Sequence, residues 1–170
     1  MGFEPAAIQG WMGRPECEWL YDRASQMGSV VEIGSWKGLS THALLTGCPG
    51  PVFAVDHFKG NPNELNSHHR EALEHDIFPI FWTNVGHYRN LVVLRMDSIE
   101  ASRYFAKRSV DMVFIDGCHT PEAVKADVLA WYPVARRLLC GHDLGTVKEP
   151  LMAMNLNPRT EAGTIWSVEL

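Results

Sequence analysis

Short apolar runs recur along the chain, and each stops at an acid or beside one. Val30-Val31-Glu32-Ile33 carries its acid inside the run, 51–55 ends in Asp56, 91–96 in Asp97-Ser98, 110–115 in Asp116-Gly117, and 138–141 in His142-Asp143. Runs of this length, rich in Val, Ile and Leu, predict buried strands, and a last one is expected at 164–168. Helix-length segments separate them at 15–27, 39–46, 98–107, 121–135 and 147–154, with Thr120 and Pro121 suited to the N-cap and first turn of the fourth. Strands alternating with helices predict an α/β, doubly wound, mostly parallel central sheet with helices on both faces. The chain carries no repeat, low-complexity tract or linker, so residues 1–170 read as a single domain.

In such a sheet the ligand lies outside the carboxyl ends of the strands, where these acids would line one crevice. The first run passes into Glu32-Ile33-Gly34-Ser35-Trp36-Lys37-Gly38, a strand, a tight turn and a helix start. This differs from Gly-x-Gly-x-x-Gly, which cradles a diphosphate. A carboxylate stands where the first glycine would be, and it suits a cationic ligand such as S-adenosylmethionine (SAM). Gly34 is expected to admit the ligand to the backbone, and Gly38 to let the helix pack on the strand it has left. The other reading of the motif is a structural turn with no ligand. Asp56 stands at the interval expected of an acid receiving ribose hydroxyls.

With Val55-Asp56-His57-Phe58, Val113-Phe114-Ile115-Asp116-Gly117-Cys118-His119, Val124-Lys125-Ala126-Asp127, Trp131, Pro133 and Gly141-His142-Asp143, the chain resembles class I SAM-dependent methyltransferases. The likeness is to small O-methyltransferases similar to catechol and macrocin O-methyltransferases, and it spans residues 30–143. It implies a Rossmann-like fold and a SAM site built from Glu32, Gly34, Ser35, Trp36, Gly38, Asp56, His57, Asp97, Ser98 and Asp116. It also implies a divalent ion, Mg²⁺ or Mn²⁺, on Asp116, His142 and Asp143. In the catechol-type enzymes an acid-amide pair takes the place of His142-Asp143, and imidazole is softer than Mg²⁺ prefers. His119, three residues after Asp116, offers a second route as general base. Asp116 and His119 are the expected catalytic residues, and the metal route is the favoured expectation. Asp127 and Trp131 read as structural.

Charge narrows the partners. A formal net charge of -5 supplies no basic patch of the kind duplex nucleic acid demands, so the expected acceptor is a small molecule or a sugar. Four cysteines without Cys-x-x-Cys spacing read as reduced thiols, and the absence of a signal-like or membrane-length apolar stretch predicts a cytoplasmic protein away from membranes. Residues 57–90 are too long for an ordinary crossover. They are read as a lid over the acceptor, or else as helices whose aromatics fill the sheet face. His68, His69 and His75 lack partners at a zinc spacing and read as a solvated helix face. Trp11, Trp19, Phe78, Phe81 and Trp82 are expected to leave apolar surface for a homodimer. The function expected is methyl transfer to a hydroxyl, and the rival is a SAM- or nucleotide-binding module without catalysis.

Overall fold

The computed structural model describes residues 2–62 and 67–170. Five parallel strands form most of one sheet: β1 (Val30–Ile33), β2 (Val52–Val55), β3 (Leu91–Leu94), β4 (Val110–Ile115) and β5 (Ala135–Gly141). Two further strands, β6 (Arg159–Thr160) and β7 (Trp166–Glu169), extend it antiparallel beyond β5, in the order β3-β2-β1-β4-β5-β7-β6. Alternation along the strands divides the core. Val30, Met112, Phe114, Leu138 and Cys140 join one apolar cluster, while Val31, Ile33, Val113, Ile115 and Leu139 join the other.

Helices cover both clusters, which is why β1 and β4 are buried along their whole length. On the first face lie α1 (Arg14–Ala24), α2 (Leu39–Gly47), α3 (Ser67–Glu74) and α4 (Phe78–Val85), contributing Leu20, Leu44, Ala72 and Phe81. On the second lie α5 (Ser98–Ser102), α6 (Pro121–Trp131) and α7 (Leu144–Ala153), contributing Ala101, Val128, Trp131 and Leu151. As expected, Thr120 caps α6 by accepting from Ala123 N. That helix stops at Trp131, not at residue 135, because Pro133 has no N–H to continue it and Ala135 already pairs in β5. The short β6 has no apolar run of its own, so its pairing was not legible in the sequence.

In residues 57–90 the described aromatics pack largely into the core. Phe58 and Phe81 are fully buried with ring centroids 5.0 Å apart, and Phe78 lies 5.1 Å from Phe58, so these aromatics fill the sheet face. Phe58, Ala72 and Ile77 also wall a cavity at the end of the sheet. His75 is exposed, whereas the side chains of His68 and His69 lie outside the described residues. Of the aromatics expected at the surface, Trp11 and Trp82 are each 52% exposed, but Phe81 belongs to the core. All four cysteines are free thiols, and no described helix is long and apolar enough to cross a membrane.

Phe81→Ala should cost about 3–5 kcal/mol, the range for emptying a fully buried aromatic site. Urea unfolding checks this, and a loss below about 1 kcal/mol would show that α4 is not part of the core.

Candidate functional site

A cavity of about 620 Å³ opens at the carboxyl ends of the strands, where the strand order turns back between β1 and β4. The turn after β1 forms one wall. Gly34 has φ +83, and a Cβ there would stand 2.2 Å from the carbonyl oxygen of Asp116. Glycine is therefore required by the close approach of the β1 and β4 ends, not only by a ligand. Gly38 has φ +94, and its added Cβ would meet Val85 at 3.1 Å and Phe81 at 3.3 Å. The space that Gly38 leaves open is thus taken by α4.

The acids that end β1 and β2 find different donors. Glu32 is fully buried and does not line the cavity, contrary to the expected contact with the ligand. Its carboxylate accepts from Ser35 Oγ at 2.7 Å, Ser40 Oγ at 2.6 Å and Thr41 Oγ1 at 2.5 Å, which ties β1 to the start of α2. Burial pushes it up to about 7 against these three hydroxyls. Asp56 does line the cavity, but its Oδ2 accepts from Ser35 N at 3.0 Å and Trp36 N at 2.9 Å, and its Oδ1 from Phe58 N at 2.6 Å. A carboxylate has about four acceptor positions, and backbone donors take three of them here.

Further round the rim, Asp97 caps α5 by accepting from Ile99 N at 2.9 Å and Glu100 N at 3.1 Å, and Ser98 donates to Asp127. All three line the cavity, as do Ser35, Trp36 and His57, whereas Gly38 does not. His57 Nδ1 accepts from Lys59 N at 3.0 Å. Burial raises Asp127 to about 6 despite its bond to Ser98, and Asp97 adds to the rise.

Asp116 belongs to a charged cluster that reaches from the cavity wall into the protein. His119 Nε2 lies 3.4 Å from Asp116 Oδ1 and 3.2 Å from Asp143 Oδ2. His142 Nδ1 lies 3.6 Å from Asp116 Oδ1 and 3.4 Å from Asp143 Oδ1, while its Nε2 lies 3.0 Å from Glu16 Oε1. Asp116 and His119 line the cavity; His142 and Asp143 do not. Burial would lower His142, but the bond to Asp143, the charges of Asp116 and Asp143 and the bond to Glu16 together push it up to about 9. It is an imidazolium at neutral pH. Asp143 is held low, first by its bond to His142, whereas burial raises Asp116. Donor atoms of Asp116, His142 and Asp143 lie within 4.8 Å of one another, a set that fits a divalent ion.

The family described as a methyltransferase domain matches residues 31–143, from β1 through the acid after β5. The chain belongs to this family. No curated protein matches its sequence. Among solved structures it is similar to a Corynebacterium glutamicum protein, with 17% identity, a TM-score of 0.68 and coverage of 94% of this chain and 82% of that one. It is also similar to cofactor-bound Rv0187 from MTB, with 17% identity, TM-score 0.67 and coverage of 96% and 83%. A third is the Bacillus cereus O-methyltransferase in complex with SAH, with 14% identity, TM-score 0.65 and coverage of 94% and 83%. These likenesses establish the Rossmann-like methyltransferase fold.

Sequence reasoning missed Glu16. It sits on α1, 126 residues before His142, and also accepts from Gly13 N at 2.7 Å and Thr164 N at 3.0 Å. Among charged positions of one amphipathic helix nothing singles it out; its burial does. Lys37 reads in the sequence only as part of the turn. It too is buried, with its ammonium 2.7 Å from Glu71 Oε1 and 2.8 Å from Gln9 Oε1, joining the N-terminal segment, the glycine turn and α3.

Because His142 is raised on folding, its contribution to stability is fully present below about pH 6.5 and is lost as pH rises towards 9. A tenfold change in proton affinity is worth about 1.4 kcal/mol, so the loss, reduced by solvent screening, should be on the order of 2–3 kcal/mol. Thermal melts between pH 6 and 9.5 should show this fall in the native chain and not in His142→Asn. Equal pH dependence in both would remove His142 as its source.

Proposed function

We propose that the protein transfers a methyl group from SAM to a hydroxyl of a small-molecule acceptor, with His119 as the general base. The observation that carries this reading is the position of His119. It lines the cavity of a methyltransferase-family domain, and its Nε2 is held between two carboxylates that can steady an imidazolium. A decayed binding module would have no need of such a base. Support for SAM comes from the cavity, whose described lining includes Asp56, Asp97, Asp116, Glu122 and Asp127 but neither Lys nor Arg, an environment suited to a cation. The cofactor-bound and SAH-bound neighbours agree with it.

When bound, SAM supplies a methyl on a sulfonium; the acceptor oxygen bonds to that carbon as the carbon–sulfur bond breaks and its electron pair stays on sulfur. The chain's own residues do the rest. His119 takes the hydroxyl proton, Asp116 and Asp143 orient the ring, and the Asp56-held turn shapes the wall. Much of the rate would come from proximity and orientation.

A second reading has its own observation, the donor set of Asp116, His142 and Asp143. These residues would hold an ion such as Mn²⁺, for which an imidazole ligand is more suitable than for Mg²⁺, and it would lower the pKa of a nearby hydroxyl. Two of the three do not line the cavity and His119 lies against both acids, so the histidine route is the better supported.

His119→Ala should cost on the order of 10²–10⁴ in turnover while SAM binding persists, and EDTA should have little effect. Methyl transfer from labelled SAM to a panel of hydroxyl acceptors reads both. Activity abolished by EDTA and restored by Mn²⁺, with a mild His119→Ala defect, would give the reaction to the metal.

A further inference from the structure

Lys37 stands inside the glycine turn, yet it does not line the cavity. Its backbone is a fixed post: Asn84 Nδ2, from α4, donates to its carbonyl at 2.8 Å, and Gly38 N closes the turn on Ser35 O at 2.8 Å. The side chain is buried, and its ammonium lies 4.5 Å from the centre of the Trp36 ring, a cation–π contact. An ammonium has three protons to donate. Here they meet three acceptors, Gln9 Oε1 at 2.8 Å and the two oxygens of Glu71 at 2.7 and 2.8 Å. With its donors committed, whatever Lys37 does for the cavity passes through the two segments it grips.

Both segments lie outside the sheet. Gln9 belongs to the irregular stretch before α1, and Glu71 to α3. The first stretch seats closely on the turn and the helix that follows it: a Cβ at Gly10 would stand 2.5 Å from Leu39 Cδ2, and the Trp11 and Trp36 rings pack with centroids 4.2 Å apart. Gly10, Trp11 and Met12 line the cavity, as does Ala72, the neighbour of Glu71 on α3. A ligand filling this space is therefore walled by three pieces of chain, the turn, the N-terminal stretch and α3, and one ammonium ties them together. These pieces can part without unfolding the sheet. The Glu71 side chain is 33% exposed, so water can solvate its carboxylate when the ammonium leaves, where a sealed carboxylate would be stranded. Segments fastened by few buried contacts open locally at a lower cost than the core.

We infer that Lys37 is a positioning residue for the cofactor: it clasps the N-terminal stretch and α3 against the glycine turn, and the cofactor enters and leaves when that clasp parts. This rests on the methyltransferase reading above. A clasp has a kinetic signature. Losing a contact with the ligand speeds release and lowers affinity in step, whereas loosening a clasp that must open in both the free and the loaded protein speeds entry and release together.

The full chain is tested with SAH as the probe, calorimetry giving the dissociation constant and stopped-flow tryptophan fluorescence the two rates. Failure of the native protein to bind SAH would sink the methyltransferase reading itself. Lys37→Met keeps the stem and removes the ammonium; it should quicken both association and dissociation roughly tenfold while the dissociation constant shifts by less than about threefold. Glu71→Gln should act in the same direction, and adding it to Lys37→Met should change little more, because both substitutions break one contact. Native rates in folded Lys37→Met, faster dissociation matched by an equal loss of affinity, or fully additive effects of the two substitutions would each overturn the inference while leaving the methyltransferase reading in place. Should Lys37→Met fail to fold, Glu71→Gln alone decides, and native rates in that variant overturn the clasp.

Discussion

The carboxylate of Asp56 holds two turns in conformations that neither would adopt alone. Trp36 and Phe58 both have positive φ, at 44 and 58, and residues with a Cβ reach that region at a cost of about 1–2 kcal/mol each. Three backbone N–H groups, from Ser35, Trp36 and Phe58, converge on the two oxygens of this acid. Hydrogen bonds to a charged group contribute about 1.5–3 kcal/mol each, enough to offset the strain. The glycine turn, the aromatic wall behind it and the entry to residues 57–90 all depend on this one side chain. Its loss would change the shape of the cavity wall that it holds.

The acids that end the other strands look alike in sequence and do different work. Glu32 is sealed behind the turn by three hydroxyl donors, and it fastens the helix to the strand. Asp97 is a helix cap whose two backbone donors begin α5. Asp116 and Asp143 meet imidazoles, and one of these, His119, reaches the cavity. The donor that each acid finds decides whether it organises the fold or stands beside chemistry. Hydroxyl and amide donors are consumed in structure; an imidazole can give up its proton and take it back.

This difference explains what could be read in advance. Apolar runs ending in acids made the parallel sheet and the position of the crevice legible, because the strand period and the switch point are properties of the chain and its topology. Asp116, His119, His142 and Asp143 were legible as a group because they end neighbouring strands. The direction of each carboxylate was not, since Glu32 and Asp56 differ only in which donors the folded turn presents. Nor was Glu16, which reaches His142 only after α1 packs beside the end of β5. Gly34 has a second neighbour that the sequence did not show: its missing Cβ makes room for the backbone of Asp116, a contact between strand ends far apart in sequence.

The charge of the His142 cluster follows from the same packing. Glu16, Asp116 and Asp143 surround an imidazole raised to about 9, so one internal cation stands among three acids at neutral pH. A cluster of acids this close requires compensation, and it comes here from a side chain carried on the end of β5 itself. Of these acids, Asp116 reaches the cavity wall, beside His119. There it suits a cationic cofactor in the same crevice. Fold stability and the proposed proton transfer therefore draw on one network, with Glu16 and His142 on the buried side and His119 on the open side.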